Sequence, residues 1–364
     1  LHQINDNTEK AKSHNLLTPD GYILTLHRVL PASEYESRSG NKTVLLHHGL
    51  LGSSADWILL GPNKSLPYML LNEGYDVWLA NARGNNYSKS HISTNVNSTE
   101  FWDFSWHEIG QFDLLSTIDF IRGVNGGKSE INFIGHSLGA TALLVLLSIY
   151  PQYNNILESA VLLAPLVFMH HAKGPLRYLS GIHNRNGFHC LDLIGRNEFM
   201  SSTVFPSKVI ERYCKGEKRL CLNTLLLLAN GGKQIYDKSL MMNVLGHVPA
   251  GASTKTIMHY CQLLRSKQFQ MFDYGIVNNY KRYGSRTPPV YSLSDVTLPV
   301  AVFSSADDWL STAADIQRLL PHFLNPYVHH VVRTQEFSHT DFVWGEAATE
   351  HWFPRAELQP DKCC

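Results

Sequence analysis

Short apolar segments alternate with longer amphipathic segments along most of the chain. Phe112–Ile121 and Leu138–Tyr150 predict helices, and Pro151 ends the second one. Strands that alternate with helices are typical of a mostly parallel sheet. The apolar segments predict six buried strands: Thr43–Leu46, Asp76–Leu79, Ile131–Ile134, Ala160–Leu163, Pro299–Phe303 and His329–Val332.

The alternation is interrupted between about residues 166 and 266, where histidine-rich and basic patches surround the apolar segment Leu225–Leu228. We expect a mainly helical insertion there, because no strand and helix alternate within it. The predicted division of the chain is a first core part over residues 1–165, a cap over residues 166–266 and a second core part over residues 267–364.

Composition narrows the class of protein. The 364 residues are 44% hydrophobic and 17% charged, which is typical of a packed globular protein. The 31 basic and 31 acidic side chains give a formal net charge of zero, and no basic stripe runs along the chain. We therefore exclude nucleic-acid binding. No apolar stretch approaches the roughly 20 residues that a membrane-spanning helix needs, so no transmembrane segment is expected.

The chemically most informative segment is Gly135-His136-Ser137-Leu138-Gly139, which lies between a predicted strand and a predicted helix. Gly-X-Ser-X-Gly in this context is typical of the sharp turn that exposes a nucleophilic serine in α/β-hydrolases. Such a turn strains the serine backbone and requires very small neighbours. The sequence therefore predicts Ser137 as a nucleophile.

A serine hydroxyl needs a base, and the base needs a carboxylate that holds its tautomer. In this fold the acid and then the histidine follow the serine along the chain. His339 follows the last predicted strand and is the best base, whereas His329 and His330 lie within that strand and are interpreted as structural. Asp307 and Asp308 both follow the preceding strand, and the pattern does not separate them.

Two backbone N–H groups are expected to stabilise the oxyanion of the tetrahedral intermediate. One belongs to Leu138, directly after the nucleophile, and the other to Leu50, in the loop with Gly49 and Gly52 after the first predicted core strand. Nothing in the sequence indicates a metal site or a cofactor. Four Asn-X-Ser/Thr motifs are candidate glycosylation sites: Asn41, Asn63, Asn86 and Asn97.

Further segments resemble the acid lipase family, which includes gastric lipase and lysosomal acid lipase. The resemblance covers nearly the whole chain and is much more specific than the serine motif. The segments that carry it are Asp20–Leu24, His48–Leu51, Gly74–Asn85, Glu100–Trp106, Thr117–Ile121, Pro249–Ser253 and Phe272–Gly275.

The resemblance implies an α/β-hydrolase core whose triad is Ser137, Asp308 and His339. It also implies a movable lid within the cap. Cys214 and Cys221, close enough in sequence for a small disulfide loop, fall where the family carries a cap disulfide. This chain departs from the family at Leu138, where relatives usually have glutamine. A backbone N–H survives that change, so only the contribution of the side chain to positioning or selectivity is altered.

The resemblance further implies a lipid ester substrate, a triacylglycerol or a sterol ester, bound at a lipid–water interface by a secreted or lysosomal protein. A catalytically silent lipid carrier on the same fold is the alternative from another class. The complete set of Ser137, Asp308 and His339 argues against it, because a carrier has no chemical need for all three. A small-ester carboxylesterase or an acyltransferase is the third hypothesis.

Overall fold

A nine-stranded sheet forms the centre of the part of the chain that the computed structural model describes. The described residues are 10–30, 42–127, 130–182, 197–200, 238–324, 327–345 and 348. The strands are β1 (Lys10–Leu17), β2 (Tyr22–Leu30), β3 (Lys42–His47), β4 (Asp76–Leu79), β5 (Ser90–His91), β6 (Glu130–His136), β7 (Leu157–Leu163), β8 (Glu198–Phe199), β9 (Ala252–Ser253), β10 (Val300–Ser305) and β11 (Tyr327–Val332). Of these, β8 and β9 form a separate antiparallel pair.

Helices connect most of the strands. They are α1 (Leu66–Asn72), α2 (Trp106–Glu108), α3 (Leu115–Val124), α4 (Leu138–Ile149), α5 (Pro175–Ile182), α6 (Lys238–His247), α7 (Thr254–Ser266), α8 (Ile276–Tyr283), α9 (Ala313–Leu319) and α10 (Asp341–Trp344). A π-helical segment (Ile109–Leu114) joins α2 to α3. Short 3-10 helices cover Ser54–Ile58, Pro151–Asn155, Leu293–Asp295 and Leu320–His322.

The strand order is β1-β2-β4-β3-β6-β7-β10-β11, and β5 pairs with β2. Every pair from β4 to β11 is parallel, whereas β1 and β2 form an antiparallel hairpin that joins β4 at one edge. The prediction of a mostly parallel sheet with helices is confirmed. Because parallel neighbours end at the same edge of a sheet, the loops after β3, β6, β10 and β11 lie close together.

All six predicted strands are confirmed, and the structure extends most of them by one to three residues. The hairpin of β1 and β2 was not predicted. The predicted helix Phe112–Ile121 is part of a longer segment that begins at Trp106 and contains the π-helical section. Ser105 caps its start, since the Ser105 hydroxyl accepts from His107 N while Glu108 accepts from the Ser105 backbone N–H.

Helix α4 lies in the interior of the fold. Residues 138–147 are all buried, so the helix presents an apolar surface on every side. Gly110 lets the π-helical segment pack closely against α4, because a Cβ atom at this position would lie 2.6 Å from the Ala142 carbonyl oxygen. A buried helix of this kind fixes the position of its own first residues, which directly follow Ser137.

The described part of the predicted cap contains α5, α6, α7 and the short pair of β8 and β9. The apolar segment Leu225–Leu228 lies outside the described residues, and the cap boundaries therefore stay a prediction. Within the described ranges, no helix combines the length and apolarity that crossing a bilayer requires.

Candidate active site

The turn between β6 and α4 places Ser137 in an unusual backbone conformation, with φ of +54° and ψ of −110°. A positive φ is costly for a residue with a side chain and persists only when the surroundings enforce it. Here the Ser137 N–H donates to the Leu163 carbonyl oxygen of β7 at 2.9 Å, and Thr141 N–H donates to the Ser137 carbonyl oxygen at 3.1 Å. Strand and helix thus hold the serine from both sides.

Glycine is required on both sides of this turn because backbones approach it closely. A Cβ atom on Gly135 would lie 2.7 Å from Ala140 N, and one on Gly139 would lie 2.5 Å from the His47 carbonyl oxygen of β3. Both distances are shorter than real Cβ contacts. The two glycines of the Gly-X-Ser-X-Gly motif therefore let α4 start directly against β3 and β6.

Three side chains from three loops form one hydrogen-bonded chain. The His339 Nε2 atom lies 2.8 Å from Ser137 Oγ, and His339 Nδ1 lies 2.8 Å from Asp308 Oδ2. All three residues are buried. Because the Asp308 carboxylate accepts from Nδ1–H, Nε2 is left free to take the serine proton.

The two adjacent aspartates have different environments. Asp308 is buried, and its second carboxylate oxygen accepts from the backbone N–H groups of Leu310 and Ser311, both at 2.8 Å. Asp307 is exposed and accepts from Glu336 N at 3.1 Å. The structure therefore brings Asp308, and not Asp307, to the histidine.

His136, the residue before the serine, supports the histidine loop and was not singled out from the sequence. Its Nε2 atom lies 2.9 Å from the His339 carbonyl oxygen. Burial lowers the pKa of His136 well below its usual value, so the ring is neutral and donates one N–H to that carbonyl. Ser338 and Asp341 fix the same loop, since Asp341 accepts from Ser338 N at 2.6 Å.

The loop that carries Leu50 is held by a histidine as well. His48 Nε2 accepts from Ala82 N at 3.1 Å, which leaves Nδ1 to donate to the Gly49 carbonyl oxygen at 2.7 Å. Burial lowers the pKa of His48 to about 3, so this tautomer is uncharged. Leu138 begins α4, and its N–H has no carbonyl partner one turn earlier in the helix.

Leu138 is not among the residues that line the main cavity beside Ser137. It is buried and borders a separate small cavity, which it shares with His48, Phe104 and Ile109. The position at which the family usually has glutamine therefore lies beside the loop that carries Leu50, which lines the same small cavity. Among the described residues, Leu138 does not line the space next to the serine.

A cavity of about 300 Å³ opens beside Ser137 and His339. Most of its lining is apolar, which suits a hydrocarbon chain. The large apolar side chains that line it are Leu50, Leu51, Leu166, Pro175, Leu176, Phe199, Val248, Ile257, Tyr260, Leu310, Val343 and Trp344.

The remaining predicted residues are placed as follows. Asn63, Asn86 and Asn97 are exposed, which glycosylation requires, and their modification stays a prediction. Asn41 and the candidate disulfide of Cys214 and Cys221 lie outside the described residues. His329 lies in β11 and contacts Ser304 Oγ at 2.9 Å, away from the serine.

Comparison with known proteins agrees with this architecture. A family model for the α/β-hydrolase fold matches residues 42–184, and a model for a partial α/β-hydrolase lipase region matches residues 4–61.

Two solved esterases have similar folds. A putative aryl esterase from Burkholderia cenocepacia has a TM-score of 0.52 at 15% identity, with 95% of this chain and 99% of that chain covered. An esterase from Exiguobacterium antarcticum has a TM-score of 0.53 at 12% identity, with 93% and 97% covered. The fold is that of the α/β-hydrolases.

Curated relatives are more similar in sequence. Lipase 3 of Drosophila melanogaster is 36% identical, with 96% of this chain and 89% of that protein covered. Gastric triacylglycerol lipase of Rattus norvegicus is 34% identical, with 93% and 86% covered. Human lysosomal acid lipase/cholesteryl ester hydrolase is 33% identical, with 90% and 82% covered. The chain belongs to the acid lipase family.

Proposed function

We propose that this protein is a lipase that hydrolyses neutral lipid esters, triacylglycerols or sterol esters, through an acyl-enzyme on Ser137. The observation that carries the proposal is the hydrogen-bonded chain from Ser137 through His339 to Asp308 beside a mainly apolar cavity. A strained serine, a histidine within hydrogen-bond distance and a buried carboxylate are the parts that acyl transfer needs. The names of the curated relatives support lipid esters as the substrate class.

In the first half-reaction, Ser137 Oγ attacks the ester carbonyl carbon while its proton passes to His339 Nε2. Asp308 stabilises the imidazolium that results, because its carboxylate lies on Nδ1. The N–H groups of Leu50 and Leu138 bind the oxyanion, and each such donor is worth about 3–4 kcal/mol in the transition state. His339 then protonates the departing alcohol, which leaves the acyl group on Ser137.

In the second half-reaction, water takes the place of the alcohol. His339 removes a proton from the water, the resulting hydroxide attacks the acyl-enzyme carbonyl, and a second tetrahedral intermediate forms in the same oxyanion site. Its collapse breaks the bond to Ser137 Oγ, which regains its proton from His339. The products are a fatty acid and the free serine.

We infer further that residues 166–266 form a cap over the site. Several cavity-lining residues belong to that range, among them Leu176, Phe199 and Tyr260. We also propose that the protein is secreted or lysosomal and meets its substrate at a lipid–water interface. Three exposed glycosylation motifs and the names of the gastric and lysosomal relatives support this location.

A substrate panel at acidic and neutral pH tests the proposal. The panel compares emulsified long-chain triacylglycerol and cholesteryl ester with soluble short-chain esters, and we expect long-chain emulsified substrates to be hydrolysed efficiently. Activity confined to soluble short-chain esters would favour a carboxylesterase. Binding of lipid without any turnover would favour a carrier.

A further inference from the structure

One carboxyl group borders the substrate cavity without a role in the mechanism above. Asp56 lies in the 3-10 helix Ser54–Ile58 and is 5% exposed. It lines the same cavity as Ser137 and His339. Its Oδ1 atom is buried and has no hydrogen-bond partner among the described residues. An unpaired buried carboxyl group is costly unless a ligand or its own proton satisfies it.

The loop before Asp56 fixes one side of this carboxyl group. A Cβ atom on Gly52 would lie only 2.0 Å from Asp56 Oδ2, so this oxygen packs directly against the glycine backbone. Ser53 caps the 3-10 helix by accepting from Ala55 N at 3.2 Å. The side chain is therefore held in place, with one oxygen against the loop and the other unpaired.

The cavity is lined by residues of two separate hydrophobic clusters. Leu176 of α5 with Ile257 and Tyr260 of α7 belong to one hydrophobic cluster, and α5 packs against α7. Val343 and Trp344 of α10 belong to a second cluster, and α10 packs against the 3-10 helix that carries Asp56. Asp56 therefore lies on the side of the second cluster. An acyl chain that packs against the first cluster leaves the alcohol part of the ester on the side of Asp56.

His136 and His339 line the same cavity as Asp56, and α1, which carries Tyr68, packs against the 3-10 helix. The 3-10 helix also packs against α6, whose His247 has a pKa lowered by burial. Asp341 on α10 is engaged by Ser338, and Tyr87 has a pKa raised by burial and by the nearby Asp56 carboxylate. Burial raises the pKa of Asp56 to about 7, and the backbone N–H of Ser53 offsets this only in part. Asp56 is thus an uncharged hydrogen-bond donor below pH 7.

We propose that Asp56 is a specificity-determining residue whose carboxyl O–H donates a hydrogen bond to a second ester carbonyl oxygen of the substrate. A triacylglycerol carries such a carbonyl on its alcohol part, whereas a sterol ester has only the scissile one. The inference rests on the proposed lipase function and narrows its substrate class to acylglycerols. The ionised carboxylate cannot donate and repels a carbonyl oxygen, so selectivity for acylglycerols is confined to the pH range in which Asp56 is protonated.

The test compares glyceryl tributyrate with butyl butyrate, which has the same acyl group but a single carbonyl. Both are used below their solubility limits, so that no lipid interface contributes. KM and kcat are measured between pH 5.5 and 8.5 for wild type, Asp56→Asn and Asp56→Leu. Asn keeps the shape and a donor at every pH, while Leu keeps the volume and removes the hydrogen bond. Asp119→Asn removes an exposed carboxylate elsewhere and is the control.

At pH 5.5 we expect Asp56→Leu to raise KM for glyceryl tributyrate about three- to tenfold, the range for one uncharged hydrogen bond, and to leave KM for butyl butyrate within twofold. Wild type should show KM for glyceryl tributyrate rising above about pH 7. Asp56→Asn should keep the low KM without that rise, and Asp119→Asn should match wild type.

Equal changes for both esters, or a wild-type rise in KM that persists in Asp56→Asn, would overturn the assignment of Asp56. If Asp56→Leu does not fold, the pH profile of Asp56→Asn alone decides between the outcomes. Failure of the lipase proposal itself is a different result, because wild type would then turn over neither ester.

Discussion

Asp307 and Asp308 are neighbours in sequence, yet their environments make them chemically different. Asp308 is enclosed, accepts two backbone N–H groups and contacts the His339 ring, whereas Asp307 is exposed on the loop. A carboxylate can orient a histidine and stabilise its charged form only if it contacts the ring, as Asp308 does. Similarly, Ser137 is the one serine with a positive φ among the described residues, and its Oγ atom lies 2.8 Å from His339 Nε2.

Replacing the proposed nucleophile gives the simplest residue-level prediction. Ser137→Ala should lower kcat on any ester at least about 10⁴-fold, because the residual oxyanion site cannot form an acyl-enzyme. The melting temperature should stay near that of wild type, since the substitution removes one hydroxyl group with its hydrogen bond to His339 and leaves the backbone hydrogen bonds of residue 137 in place. Near-normal turnover by a folded Ser137→Ala protein would remove Ser137 from the mechanism.

The two aspartates provide a matched pair of variants. Asp308→Asn should lower kcat about 10⁴-fold, because an amide stabilises the wrong histidine tautomer. Asp307→Asn changes the same atoms one residue earlier and should stay within a few-fold of wild type. Steady-state kinetics on one soluble ester suffices. The opposite ranking of the two variants would transfer the acid role to Asp307.

At the scale of elements, the close start of α4 against β3 depends on glycine. Gly139→Ala places a Cβ atom 2.5 Å from the His47 carbonyl oxygen, and relief requires the helix or the strand to move. We expect a loss of about 1–3 kcal/mol in the free energy of unfolding and a lower kcat, because the N–H of Leu138 would move with the helix.

Gly123→Ala in α3 is the matched control for this prediction. A Cβ atom there meets nothing within 4 Å, so alanine should be neutral or stabilise the helix by about 1 kcal/mol. Denaturant unfolding of both variants gives the comparison. Equal stability of the Gly139 and Gly123 variants would show that the short contact with the His47 carbonyl oxygen is relieved without cost.

The strands and the site differ in how far sequence alone could predict them. Buried parallel strands such as Ala160–Leu163 contain continuous apolar runs, and the structure confirms them. The β1–β2 hairpin was missed because its alternation is irregular and one face of β1 carries charged and polar residues. The sequence pattern also predicted a candidate acid after β10. It did not separate Asp307 from Asp308, because the burial and the hydrogen-bond partners of each carboxylate depend on how the loops pack. His136 had no sequence signal beyond its place in the motif.

At the scale of the whole molecule, buried histidines make folding sensitive to acid. Burial lowers the pKa of His27 and His47 to about 4, that of His48 to about 3, and those of His136 and His259 as well. An unfolded chain takes up protons on these rings below about pH 6.5, whereas the folded chain does not until lower pH. Stability is therefore lost as the pH falls from about 6.5 towards 4.

Two buried carboxyl groups act in the opposite direction. The pKa of Asp56 is raised to about 7 and that of Asp113 to about 6, in both cases mainly by burial. The folded chain protonates these two groups at a higher pH than the unfolded chain does. Their protonation therefore favours the folded state as the pH falls from 7 to about 4. The five histidines outnumber these two groups, and the net effect is a loss of stability on acidification.

A single histidine variant tests this balance. His27→Gln keeps a polar partner for Ser54 Oγ, which lies 2.8 Å from His27 Nδ1, but it does not titrate. We expect a smaller drop in melting temperature between pH 7 and pH 5 than in wild type. His322→Gln, at an exposed position, should keep the wild-type drop. The same pH dependence in all three proteins would show that His27 does not contribute.

The most direct test of Ser137 as the nucleophile is covalent labelling of the folded protein with a fluorophosphonate probe, followed by peptide mapping by mass spectrometry. The probe reacts only with a serine that a neighbouring base activates. The predicted result is one labelled site per chain, on Ser137, with loss of ester hydrolysis in proportion to labelling. Labelling of a different serine, or full activity with Ser137 unmodified after probe treatment, would contradict the assignment.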